Sequence, residues 1–244
     1  MIEHPGIDRW IANFQARDPT LSSDEERALR SVFSEVVEFG DDHDIVHMHD
    51  RMTQSHLLLE GWAFRYIALG DGRRQIVAIH VPGDFVDLHS FPLQVMDHSV
   101  ATFSRCRVAL APHRQLREVT QTHPHLSRLF WLSTLIDAAV HRQWLAGGQR
   151  SALERAAHLL CELYVRLETV GLAKDFTFAM PMSQIEFADA LSISPVHTNR
   201  VLQALRNEGA ASWQQREIRI LDWQRLAALA EFDPTYLNLF PSPR

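Results

Sequence analysis

Residues 182–209 read MSQIEFADALSISPVHTNRVLQALRNEG. Two short helices joined by a tight turn account for every position of this stretch. Ser183, Gln184, Ile185 and Glu186 fit a capping box: a Ser hydroxyl for an unpaired helix N–H, and a Glu three residues on to reach back. Phe187, Ala188 and Leu191 give the first helix an inner face, and Ile193 turns inward from the Ser192-Ile193-Ser194 turn. Ser194 caps the second helix and Pro195 takes its first position, where a missing N–H costs nothing. Val201, Leu202 and Leu205 form the second inner face, and Gly209 closes the helix. Val196, His197, Asn199 and Arg200 then point outward near the start of that helix. This is the layout of a helix-turn-helix, whose second helix enters the DNA major groove. Arg can bond guanine bidentately and Asn can bond adenine, and Ser183, Gln184 and Ser194 are counted with them as DNA-binding residues. A solvated helical hairpin would share the pattern, but the segment Ala210–Asp222, AASWQQREIRILD, argues against it. It reads as two short strands around Gln214–Glu217, a wing with Arg216 or Arg219 at the DNA backbone.

Outward from this unit the texture changes twice. Residues 5–17 and 23–37 are expected to be helical, the second after Ser22 and Ser23 with an acidic first turn. From about 43 to 112, short apolar or alternating runs predict strands: 43–49, 55–60, 62–69, 74–81, 99–104 and 107–111. The clearest turn is Gly70-Asp71-Gly72 between two of them. Strands at such spacing suggest a small barrel or jelly roll. Helical periodicity returns near Gln115, and 122–146 reads as one long helix. Leu129, Ser133, Ile136, Val140 and Trp144 form one apolar strip on it; Leu132, Leu135 and Ala139 form another. One strip can serve the subunit and the other a second copy of the chain; the strip beginning at Leu129 is assigned to the dimer. Ser151 caps a further helix with Ala156, Ala157, Leu160, Cys161, Tyr164 and Leu167 inward and Gly171 at its end, followed by a strand within 174–179.

Composition narrows the classes. The 244 residues carry 46% apolar residues and a net charge of −6. A chain of this length builds a full core unaided, but the charge argues against a general nucleic-acid coat. From Pro181 to Leu221 four Arg balance four acids, so attraction to DNA must come from placement and be salt-dependent. Cys106 and Cys161 have no metal-ligand spacing, which excludes a zinc finger or iron–sulfur cluster and fits a reducing compartment. No apolar run approaches the ~20 residues of a membrane span, and the N-terminus lacks a signal-peptide layout. A cytoplasmic location without membrane association is expected.

A jelly roll, a long helix and a winged helix-turn-helix in this order resemble the Crp–Fnr family of bacterial transcription regulators. The resemblance covers roughly residues 20–222. It is carried jointly by Gly70–Gln75, by Val81-Pro82-Gly83-Asp84-Phe85, by Arg150-Ser151-Ala152 with Glu154-Arg155, and by Met182–Gly209. It implies an α+β fold with an N-terminal β-roll like cyclic-nucleotide-binding domains, a dimerisation helix and a C-terminal DNA-binding domain, divided here as 1–121, 122–148 and 149–244. It also implies a homodimer on a near-palindromic operator, RNA polymerase as a further partner, and an effector function in the β-roll.

The departures are informative. The cyclic-nucleotide branch has a Gly-Glu pair after the Gly-Asp-Phe turn and an Arg-Ser pair about ten residues later, which hold ribose and cyclic phosphate. Without gaps those positions are Asp87-Leu88 and His98-Ser99. Leu cannot accept a ribose hydroxyl, and His poorly replaces a guanidinium fork. Cyclic AMP is therefore not the expected effector. A pocket around Gly83, Asp87, Leu88, His98 and Ser99 is where an unknown small molecule would bind if the regulator has an effector; a constitutive regulator controlled only by its own abundance is equally allowed, and the missing nucleotide ligands favour it slightly. The N-terminal cysteine cluster of the oxygen-sensing branch is absent. In the recognition helix the family's acidic residue four positions before its Arg is Val196, which offers a methyl contact to thymine instead.

The rival class is a metal-dependent cupin-like β-barrel enzyme with a helical tail. His47-Met48-His49 on a strand would place both imidazoles on one face, but the next Glu is Glu60, too far on for the cupin pattern. A haem held by a β-roll His has no singled-out axial ligand. No nucleophile–base pair, phosphate-binding Gly loop or paired carboxylates stand out, so no catalytic residue, cofactor or metal is assigned. Cys106 is expected to be a buried, small apolar residue.

Overall fold

The computed structural model describes residues 2–70, 72–93 and 95–243. Two helices open the chain, α1 (Pro5–Arg17) and α2 (Ser23–Ser31), the latter capped by the Ser22–Glu25 box. Helix α2 stops well short of residue 37. Val36 and Val37 lie instead in β1 (Glu35–Phe39), paired antiparallel with β7 (Cys106–Pro112). Two adjacent β-branched residues fit a pleat better than a helix. Strands β2 (Asp44–Val46), β3 (Gln54–Glu60), β4 (Ala63–Ala68), β5 (Arg74–His80) and β6 (Ser99–Thr102) complete the roll. One sheet runs β1-β7-β3 and the other β2-β6-β4-β5. Leu58, Val86, Met96, Val100 and Val108 are among the side chains that fill the space between them.

The β4–β5 turn closes through Gly72 at φ +83°, whose N–H donates to Leu69 O at 3.0 Å; Asp71 itself lies outside the described residues. His47 and His49 are not strand residues. Strand β2 ends at Val46, the His47 N–H donates to the Asp50 carboxylate at 3.0 Å, and His49 has φ +74°. The alternation needed to aim both imidazoles one way is therefore missing.

Helix α3 (His113–Thr122) and helix α4 (Pro124–Ala146) are separate, because Pro124 starts α4 after an extended His123. Helix α5 (Ala152–Thr169) follows behind the Ser151–Glu154 capping box. The C-terminal part packs β8 (Ala173–Lys174), β9 (Thr177–Ala179), α6 (Gln184–Ala190), α7 (Pro195–Asn207), β10 (Ala211–Gln214), β11 (Glu217–Ile220) and α8 (Trp223–Ala230) against α5.

One apolar cluster runs without a break from the β-roll (Phe64, Ile79) through α5 (Leu160, Leu163) into the helix-turn-helix (Phe187, Leu205). A second holds α1, α3 and the start of α4 together, with Trp10, Phe14 and Phe130 in mutual ring contact. The two halves of the chain thus share a core rather than hanging on a linker.

Candidate DNA interface and effector region

The helix-turn-helix is built by its caps. Ser183 N–H donates to the Glu186 carboxylate at 2.6 Å, and Glu186 N–H donates to Ser183 Oγ at 3.2 Å. Ser194 Oγ accepts from His197 N–H at 3.2 Å, with Pro195 at the first turn. Phe187, Ala188, Leu191, Val201 and Leu205 are buried and Ile193 is half-buried. Between the helices Ser192 takes φ +54°, a conformation the turn imposes on a non-glycine residue.

Gln184, Val196, His197, Asn199 and Arg200 are exposed, Val196 at 65%. Gln203 shares their side of α7, one turn beyond Asn199 and Arg200, and is equally exposed; the i, i+3, i+7 spacing from Val196 was the signal for it. Thr198 alone in this run is turned inward, its hydroxyl donating to Ser194 O at 3.2 Å. Among the described residues, the side chains of Asn199, Arg200 and Gln203 make no hydrogen bond or ion pair within the chain. Donors in a folded chain that bond nothing of their own remain free to bond base edges.

The wing is tighter than the sequence suggested. Gln214 and Glu217 are themselves paired, leaving Gln215 (φ +54°) and Arg216 as a two-residue turn. Arg216 O accepts from Met180 N–H at 2.8 Å, which ties the turn to the strand leading into α6, while its side chain and that of Arg219 are exposed.

The β-roll meets this unit directly. Gln75, on the β4–β5 hairpin, donates to Asp189 O at 2.9 Å and accepts from Ser192 Oγ at 3.2 Å. Arg74 lies 4.0 Å from Glu186. A second tie runs through α5. Arg166 bonds Asp84 at 2.6 Å and Glu162 at 3.0 Å, and Tyr236 O–H donates to Glu162 at 2.8 Å. Burial pushes the Glu162 carboxyl up against the pull of Arg166, while Asp84 and Glu162 together raise Arg166 despite its burial. Apart from the i, i+4 pair Glu162–Arg166 within α5, these links cross long sequence separations and carry no local signature.

The five positions assigned to an effector pocket do not come together. Asp87 is fully buried and spent on His56, accepting its N–H at 2.6 Å and its Nδ1 at 2.8 Å. Leu88 is part of the apolar core around α1. Ser99 Oγ accepts from Met48 N–H at 2.9 Å, and His98 Nδ1 lies 2.6 Å from Asp97. A cavity of about 120 Å³ instead lies between α1, the Ile79–Phe85 turn, α4 and the end of α5. Gly83 and Leu88 line it; Asp87, His98 and Ser99 do not.

The long helix is apolar around its circumference, and tertiary packing decides its faces. Leu129 and Val140 are buried inside the subunit, Ser133 and Ile136 line the cavity, and Trp144 packs on the core of α5. The strip assigned to a partner is thus largely the one the subunit uses for itself. The exposed side is Trp131, Leu135, Ala138, Arg142 and Leu145. Their spacing of four, three, four and three is the heptad seam of paired helices.

Both cysteines are buried, and burial pushes each thiol up to about 12. The Cys106 thiol donates to Trp62 O and Ser104 O. A Ser–His grouping that sequence spacing did not reveal places His113 Nε2 3.2 Å from both Ser55 and Ser90 Oγ. Both serines are buried, and the nearby carboxylate, Asp87, is turned to His56. No helix among the described residues is long and apolar enough to cross a membrane.

Comparison with known proteins agrees with this geometry. Residues 36–123 match the cyclic nucleotide-binding domain model, and residues 154–229 match the Crp-like helix-turn-helix domain model. The nitrogen fixation regulation protein FixK of Bradyrhizobium diazoefficiens is 32% identical over 80% of this chain and 81% of its own. The transcriptional activatory protein AadR of Rhodopseudomonas palustris is 31% identical over 71% of this chain and 72% of its own. The solved structure of FixK2 from Bradyrhizobium japonicum superposes with a TM-score of 0.73 at 25% identity, covering 80% of this chain and 96% of that one. The chain belongs to the Crp–Fnr family of transcription regulators.

Proposed function

We propose that two copies of this chain, paired along the exposed Trp131–Leu145 seam of α4, bind a near-palindromic operator in double-stranded DNA and regulate transcription from it. The observation that carries this reading is the row of side chains on α7. Val196, Asn199, Arg200 and Gln203 stand outward on a capped helix, and the polar members are unused within the chain. Arg200 suits a guanine, Asn199 an adenine and Val196 a thymine methyl. Ser183, Gln184, Ser194 and His197 flank the row and suit phosphates, as does Arg216 on the wing. Residues 1–121 act as the regulatory part, 122–148 as the dimer helix and 149–244 as the DNA-binding part. RNA polymerase is the further partner such a regulator addresses at a promoter, and the cytoplasm is its place of work.

The reading includes no catalytic step. Cyclic AMP is not its effector, because Asp87 is committed to His56 and Leu88 to the core, leaving no carboxylate for a ribose. Selection of genomic DNA fragments by the purified protein, with and without cyclic AMP, tests the reading. A palindromic motif recovered without nucleotide is expected. Recovery only with cyclic AMP would refute the effector part, and no enrichment under either condition, with metal ions or without, would refute the operator.

A further inference from the structure

Several features of the β-roll have no role in the DNA reading, and one of them has the chemistry of a ligand site. His89 is the middle residue of the Leu88–Ser90 turn, and Asp97 and His98 lead into β6. One potential ligand atom from each of these three residues lies within 4.8 Å of the other two. The rings of His89 and His98 stand 5.0 Å apart. Their Nε2 atoms are both buried and both without a hydrogen-bond partner. A buried polar atom left unpaired is costly, so two on neighbouring rings, beside a carboxylate, call for a further partner. We propose that His89, His98 and Asp97 bind a divalent first-row transition-metal ion, and that this ion is the effector of the regulator. The second clause rests on the DNA-binding reading above; the first does not.

The ligand set fits the ion. Two imidazoles and one carboxylate suit Zn²⁺, Fe²⁺ or Co²⁺ and leave positions for water. Burial lowers both imidazoles below their ordinary range, His98 to about 4. His98 Nδ1 lies 2.6 Å from Asp97. The Asp97 carboxylate thus already stands beside the ring whose Nε2 is unpartnered, within reach of an ion bound there. Donors around a tetrahedral ion with bonds of ~2.1 Å stand roughly 3.4 Å apart, so the three groups need close by little more than an ångström.

The loop is anchored for this. Met96 is buried, its N–H donates to Asp50 O at 3.0 Å, and its carbonyl accepts from His49 at 2.8 Å. The nearby positive charge of Arg65 is countered by Asp137 at 3.0 Å. That same pair joins β4 to α4, so an ion drawn in at His89 acts beside the contact between the roll and the dimer helix.

The test is titration of the full-length protein with Co²⁺, followed by its visible absorption, and competition with Zn²⁺. One Co²⁺ per chain with ligand-field bands is expected. His89→Gln and His98→Gln should each weaken binding by about 100-fold or more, and Asp97→Asn by about 10–100-fold. Circular dichroism and thermal melting show that each variant is folded; Asp97 is exposed, so its variant keeps the test valid should a histidine variant unfold. Absence of stoichiometric binding would overturn the site, as would undiminished binding in a folded variant, since the chain has 14 histidines that could bind metal elsewhere. Operator affinity measured with Zn²⁺ and with chelator decides the effector clause. Equal affinity overturns that clause alone, and no DNA binding in either state refutes the operator reading while the Co²⁺ spectrum still reports on the site.

Discussion

Leu135→Glu separates the dimer from the fold. Leu135 is 49% exposed on the subunit, in the middle of the Trp131–Leu145 seam. Full burial of a leucine side chain contributes about 1.5–3 kcal/mol, so half of that, in two copies, is again about 1.5–3 kcal/mol of dimer stability. The substitution also sets two carboxylates across the seam. At ~6 Å and an effective dielectric of ~20, they repel by about 3 kcal/mol. A loss of ~4 kcal/mol or more follows, which weakens dimerisation about 1,000-fold. Sedimentation equilibrium measures it directly. The melting temperature of the subunit itself should hardly move, because the side chain already faces water. Val140→Glu is the contrast: Val140 is 6% exposed inside the subunit, so its variant should lose cooperative folding. A folded Leu135→Glu protein that still sediments as a dimer would refute the seam. So would a Val140→Glu protein that is folded and monomeric, because it would return the interface to the strip beginning at Leu129.

Arg200→Ala should cost roughly 1–3 kcal/mol at the selected operator, about 5- to 150-fold in affinity, and relax preference at one base pair per half-site; fluorescence anisotropy with single-base variants of the site reads both. Arg216→Ala should weaken binding to all sequences alike and reduce the salt slope by about one, and an unchanged slope would take the wing off the backbone. Acid should destabilise the protein between pH 6.5 and about 4. His158 is buried against Phe232 and Tyr236 and is lowered to about 4, chiefly by burial and then by Arg150. Its stabilising contribution is therefore complete above pH 6.5. It is lost as pH falls toward 4, where the unfolded chain takes up the proton first. The shift is worth on the order of 3 kcal/mol, and denaturant unfolding at pH 7 and 4.5 should show His158→Phe flattening the loss. Gly61→Ala should cost about 2–4 kcal/mol. Gly61 has φ +79°, and a Cβ there would fall on Arg105 O and 2.7 Å from Cys106 Sγ; an unchanged midpoint in urea would refute that packing.

What the sequence revealed follows from the range of the forces involved. The caps at Ser22, Ser151, Ser183 and Ser194 are local devices, each closed within three residues, and the helices they start were legible. So were the strands from β3 to β7, whose apolar runs and turns are short-range. Strand β1 was not, because Glu35–Phe39 extends the texture of α2 and becomes a strand only by pairing with β7, some 70 residues away. The face of α4 was illegible for a related reason. Apolar residues surround the helix, and the aromatic contacts of Trp10 and Phe14 with Phe130 select its inner side. The outward residues of α7 could be named because a capped helix fixes its own phase. The effector positions could not: Asp87 looks free in sequence and is captured by His56, 31 residues earlier.

These long-range contacts also bear on how a β-roll could control a DNA-binding helix. The apolar cluster passes from Phe64 through Leu160 to Phe187, so α6 and α7 cannot swing as a free domain without opening core. The polar ties at the hairpin are a smaller matter. The two hydrogen bonds of Gln75 contribute about 0.5–1.5 kcal/mol each. A ligand that favours one pose 100-fold supplies about 2.7 kcal/mol, enough to break or remake those bonds and far too little to open the shared core. Control by the proposed ion would therefore take the form of a small change in pose, with the β4–β5 hairpin and α4 as the contacts available to carry it. Its effect on DNA comes from the two-fold arrangement. Two α7 helices must fit successive major grooves together, so a shift too slight to unseat either helix alone still mismatches the pair.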